Sequence, residues 1–180
     1  MKKLFLLLSL FIAVSCSEEK LEPQTSDSEV QGEIPSHESW NSEITFSDGG
    51  RVKAILYADH LKKYDIKRET LIDGVKIEFF DSGQKLASTL TSLRGKVDDV
   101  TRNMYAIDSV VAVNDSGTVV KTSELMWRNT DQKIVTDKFV SIKSTKEIIE
   151  GYGLESDQNL HDYVIYNITY STTLSDRDKK

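Results

Sequence analysis

From Trp40 to about Thr173 the chain alternates apolar and polar residues in short runs broken by turn-forming clusters. Val75-Lys76-Ile77-Glu78-Phe79 is one such run, and Lys133 to Ile142 is another. A period of two places alternate side chains on opposite faces, the pattern of a half-buried strand. The breaks fall at Asp48-Gly49-Gly50, Tyr64 to Lys67, Asp81-Ser82-Gly83, Gly95 to Asp99, Asn114 to Gly117, Asn129-Thr130-Asp131 and Gly151. They recur roughly every fifteen residues and read as hairpin connections. Asp-Gly and Ser-Gly supply the positive φ that tight turns need. Asp59 to Glu69 and Ser144 to Glu150 are the only helix-like stretches. Neither has a strong amphipathic stripe, so both are read as strand ends or turns. The pattern predicts one all-β, antiparallel, up-and-down domain over residues 37–173, built as a sandwich, barrel or roll.

The stretch Asn103 to Asn114 is apolar on both faces. Met104, Ala106, Val110 and Ala112 share one with Asp108, while Tyr105, Ile107, Val111 and Val113 share the other with Ser109. An ordinary sandwich core accounts for this. So does a pair of incompletely closed sheets that leave an apolar trough for a lipid.

The chain's start has its own pattern. Met1-Lys2-Lys3 is basic, Leu4 to Val14 is apolar apart from Ser9, and Ala13-Val14-Ser15 precedes the single cysteine, Cys16. This is a secretory signal peptide over residues 1–15, with an apolar run too short to span a bilayer. A small-residue site ending at cysteine resembles a bacterial lipobox, so Cys16 is the expected lipidation site and membrane anchor. Residues 16–36 are polar and acidic and contain both prolines, Pro23 and Pro35. They cannot bury enough apolar surface to order themselves and are expected to be a tether; residues 174–180 are expected to be a polar tail. The full chain has 23 basic and 29 acidic residues. Loss of Lys2 and Lys3 leaves 21 against 29, a formal charge of −8. That argues against a nucleic-acid partner, which requires a basic stripe.

Catalytic patterns are missing from the sequence. His37, His60 and His161 are isolated, whereas a metal site needs converging ligands at fixed spacing. There is no nucleophile elbow and no phosphate-cradling glycine loop. Asp98-Asp99 reads as a turn. We therefore expect no catalytic residues, no metal and no cofactor. A glycan-binding surface β-sandwich, a lipoprotein hydrolase and a periplasmic lipoprotein carrier are the rival classes. The hydrolase lacks a nucleophile. Trp40 and Trp127 sit in strand-like segments rather than on loop platforms, which disfavours the glycan binder.

Several segments, in order, resemble the LptC family. Phe46-Ser47-Asp48-Gly49-Gly50-Arg51 looks like its opening hairpin, and Val75 to Asp81 followed by Gly83 like its next. Asp108 to Val113 stands at its Gly-Asn-Val-type strand, with Asp108 at the usual glycine. Thr122 to Trp127 resembles its Thr-x-x-Leu-x-aromatic segment, Ile134 to Asp137 its Ile-x-Thr-Asp, and Glu150 to Asp157 its Gly-x-Gly-Leu-x-x-Asp turn. The resemblance implies an open two-sheet β-jellyroll that carries lipopolysaccharide without catalysis. It implies an inner-membrane ABC transporter of LptB/LptF/LptG type as donor and an LptA-like periplasmic jellyroll as acceptor. Enterobacterial members use a transmembrane helix, where this chain offers a lipid on Cys16. The expected site is the periplasmic side of the inner membrane, with attachment of the lipid to the outer membrane as the alternative. Expected trough residues are Val75, Ile77, Phe79, Met104, Ala106, Val110, Ala112, Leu125, Trp127, Val140 and Ile142. A one-residue slip in parity would turn all of them outward. Expected partner edges are Ile44 and Phe46 at one end of the domain and Val164, Tyr166 and Ile168 at the other.

Overall fold

The structure is a computed structural model and describes residues 34–174. The expected signal peptide, the expected lipidation site Cys16, the expected tether up to residue 33 and the expected tail from residue 175 lie outside the described residues. Nine strands follow one another: β1 (His37–Asp48), β2 (Arg51–Tyr64), β3 (Glu69–Phe80), β4 (Leu86–Asp98), β5 (Met104–Asn114), β6 (Val119–Arg128), β7 (Lys133–Lys143), β8 (Glu147–Ser156) and β9 (Tyr163–Thr173). They form a single antiparallel sheet in the order of the sequence. The fold class is the one expected, a jellyroll-type all-β domain, and its layers are parts of one sheet folded on itself. Gly49 and Gly50 make the β1–β2 turn with φ of 56° and 76°. Two successive positive φ values match the twist of the strands that such a turn joins. Asp59 to Glu69 is the end of β2, a turn and the start of β3, and Ser144 to Glu150 is a turn leading into β8.

A crease crosses all nine strands. Asn41 lies opposite Asp59, Asp59 opposite Gly74, and Gly74 opposite Leu93, each between flanking registered pairs. The line continues through Asp108-Ser109 in β5, Ser123 and Glu124 in β6, and Asp137-Lys138 in β7. It ends with Gly153 opposite Tyr166. Asn41, Gly74, Asp108, Ser109 and Gly153 all have positive φ, between 50° and 79°. Irregularities of this kind bend a strand and increase its twist. At the crease the interior parity changes: Ala58 gives way to Leu61, Val75 to Ile72, Ser92 to Gly95, and Gly151 to Leu154. In β5 one extra residue is inserted relative to each neighbouring strand, so Ala106 and Val110 both stay inside.

Two apolar rows run along the interior, one on each side of the crease. The first pairs Ile44, Leu56, Ile77, Leu90, Ala112, Val120, Ile142 and Ile149 in sequence across eight strands. The second pairs Leu61, Ile72, Gly95, Ala106 and Leu125. Bending the sheet packs the rows into a shared core. Each large side chain fully buried there contributes roughly 1.5–3 kcal/mol.

Three expectations need correction. Gly95 and Gly151 lie inside β4 and β8, not at turns. A Cβ on Gly95 would sit 2.9 Å from Val75 Cγ2, and one on Gly151 would sit 2.3 Å from the Asn167 carbonyl oxygen. These glycines give room for close packing instead of reversing the chain. The Glu150–Asp157 segment is mostly strand, creased at Gly153. His37 is the first residue of β1 and pairs with Lys63.

Candidate functional site

The folded sheet encloses an apolar cavity of about 300 Å³. Seven of the eleven expected trough residues line it: Val75, Ile77, Phe79, Met104, Ala106, Leu125 and Trp127. Strand alternation brings Val75, Ile77 and Phe79 inward together, and pairing sets Met104 against Trp127 and Ala106 against Leu125. The remaining four, Val110, Ala112, Val140 and Ile142, are in the buried core but not in the cavity wall; none exceeds 2 % exposure. The interior is thus part cavity and part solid core.

Leu56, Ile72, Leu90, Val97 and Ile134 also line the cavity and were not singled out from the sequence. Leu56 and Leu90 could have been found, because they flank Ile77 in the first row. Ile72 and Val97 lie past the crease, where simple alternation assigns them to the wrong face. Polar side chains stand at the rim: Asp48 and Lys53 near the β1–β2 turn, and Gln132 and Gln158 in the loops after β6 and β8. Trp127 Nε1 is buried without a hydrogen-bond partner in the protein. The lining is predominantly apolar. It can take up an apolar chain.

β1 and β9 are the margins of the sheet, each paired with one neighbour among the described residues. On β9, Val164, Tyr166, Ile168 and Tyr170 are all exposed, at alternate positions. Tyr166 also covers Gly153, with its ring 3.1 Å from where a Cβ would stand. On β1, Ile44 packs against the core and Phe46 lines the cavity mouth. There the free pairing groups are those of the backbone.

Beside β9 lies a charged network. Lys133 Nζ donates to Glu155 at 2.6 Å, and Arg128 donates to both Asp131 and Glu155. The Lys133 bond, assisted by Arg128, holds the Glu155 carboxyl below the usual carboxylate range. Arg128 does the same for Asp131. The histidines lie apart: His60 stacks on Trp40 at 5.0 Å with Nε2 2.7 Å from Glu38, and His161 pairs with Asp115. Among the described residues no group of three or more His, Cys, Asp or Glu is placed to hold a metal. No described helix is long and apolar enough to cross a membrane.

A family model described as lipopolysaccharide-assembly, LptC-related, matches residues 4–171. A search of curated proteins gave no match. The family match spans nearly the whole chain, and the antiparallel roll and apolar interior agree with it. The chain belongs to the LptC family, the non-enzymatic, inner-membrane-associated periplasmic components of lipopolysaccharide transport.

Proposed function

We propose that this domain holds the acyl chains of lipopolysaccharide in its cavity, taking them from an inner-membrane ABC transporter of LptB/LptF/LptG type. It passes them to an LptA-like jellyroll docked on β9. The observation that carries this reading is the pair of apolar rows crossing the sheet and opening into a lined cavity. An acyl chain of about a dozen methylenes loses roughly 10 kcal/mol of favourable burial on entering water, at about 0.8 kcal/mol per CH₂. A row of linked cavities removes that barrier, and the transporter supplies direction. The domain itself performs no chemical step.

Strand addition supports the docking arm. An unpaired edge recruits a neighbouring strand through its backbone, and alternate side chains give specificity. β9 offers both an open edge and the exposed apolar series from Val164 to Tyr170. Cys16 carries the lipid that holds the domain at the periplasmic face of the inner membrane, and residues 17–36 set its reach. Purification of the tagged full chain from membranes tests the reading. It should bring down an ATP-binding cassette complex and a periplasmic jellyroll. Val164→Lys should lose the jellyroll and keep the cassette complex. Absence of both partners from the unaltered chain would refute the reading.

A further inference from the structure

The β8–β9 connection, residues 157–162, is more than a turn. The Asp157 carboxylate accepts from the backbone N–H of His161 and Asp162, and the Asp157 N–H donates to the Asp162 carbonyl. The segment is therefore bonded within itself. It also reaches strands far from β8 in the sheet order. Ser88 Oγ on β4 donates to the Gln158 carbonyl at 3.0 Å, and Asn114 Nδ2 on β5 donates to the carbonyls of Asn159 and Leu160. His161 Nε2 lies 3.1 Å from Asp115.

The position of this strap in the interior is specific. Gln158 lines the cavity. Two residues on, Leu160 is 2 % exposed, belongs to the buried core and does not line the cavity. The strap thus runs from the cavity wall into the solid part of the interior. It is held there against two local preferences. Leu160 has a φ of 57°, a conformation that L side chains disfavour, and Asn159 Oδ1 is buried without a partner in the protein.

We propose that residues 157–162 are a movable end wall of the acyl site. In the closed position Gln158 and Leu160 set the length of chain that the cavity takes. When the strap swings away, Leu160 leaves the core, Asn159 reaches water, and the first apolar row becomes accessible towards Ile142 and β9. This inference rests on the acyl-binding reading above.

The His161–Asp115 contact allows a test from outside the cavity, because both side chains are about half exposed. The full chain carrying Asp115→Cys and His161→Cys, with Cys16→Ser so that only the new pair can oxidise, would be titrated with two fluorescent fatty acids. One has about eight carbons and the other about sixteen. Oxidation should weaken binding of the long probe at least tenfold and leave the short one unchanged, with reversal by reductant. Equal binding of the long probe in both redox states would overturn the movable wall. Should the pair not oxidise, Leu160→Ala decides: the long probe should gain several-fold over the short one, and an equal change in both would overturn the proposal. If neither probe binds the unaltered chain, the acyl-binding reading itself fails, whatever the strap does.

Discussion

Arg94 and Asp108 clasp each other across the crease, with the guanidinium Nε donating to the Asp108 carboxylate at 2.6 Å. Asp108 has a φ of 63° and Ser109 a φ of 51°, so two successive non-glycine residues stand in the left-handed region. Asp tolerates that region better than most residues. The pair is well exposed, so its electrostatic contribution is small, and the backbone requirement dominates. Asp108→Ala is expected to destabilise the domain by about 1–2 kcal/mol, and Asp108→Gly by less, although both lose the ion pair. Urea unfolding of the two variants checks the order.

Gly151 tests close approach in place of φ. A methyl group there meets the Asn167 carbonyl, which β9 would have to move to avoid. Gly151→Ala is expected to cost about 1–3 kcal/mol, as overpacking does. It should also weaken docking at β9. Thermal melts and partner pull-down on the same preparation would show both effects.

The two parts of the interior should respond differently to truncation. Ile142 is fully buried in the solid part, and Ile142→Ala should cost about 2–5 kcal/mol. Met104 borders existing space and is only partly buried. Met104→Ala should cost clearly less, while weakening binding of a fluorescent acyl probe. Equal losses of stability would mean that the cavity is filled in solution.

Much of this was legible in the sequence. Alternation located the strands, and the eleven residues named from it all lie on the interior side of the sheet or in its core. The crease was not legible, for two reasons. Asn41, Asp59 and Asp108 look like ordinary polar positions of a strand. The parity change from Ala58 to Leu61 resembles a strand ending instead of one bending. The glycines misled in the opposite direction, since Gly95 and Gly151 signal tight packing through contacts with other strands. The Asn114–Leu160 bond joins residues 46 apart, and no local pattern announces it.

Acid should loosen the domain through a definable set of carboxylates. Backbone N–H groups of Thr101 and Val100 hold the Asp98 carboxyl below the usual range, and Lys133 does so for Glu155. A carboxyl with a lowered folded-state pKa contributes its full stability above its unfolded value, about 4. That contribution is lost as pH falls through the lower folded value. Stability should therefore decline on the acid side of about pH 4. Glu155→Gln should flatten that decline and lower the neutral plateau above it, because Lys133 and Arg128 lose their acceptor. Urea midpoints across pH would show whether it does.

The most direct test of lipid carriage is photo-crosslinking in cells, with the reactive residue placed at Ile77 on the cavity wall or at Val111, on the opposite face of the sheet. Val110, although interior, is only 1 % exposed and is a poorer place for a probe. Lipopolysaccharide adducts are expected at Ile77, dependent on transporter ATP hydrolysis, and none at Val111. No adduct at Ile77, or equal adducts at the two positions, would contradict lipid carriage.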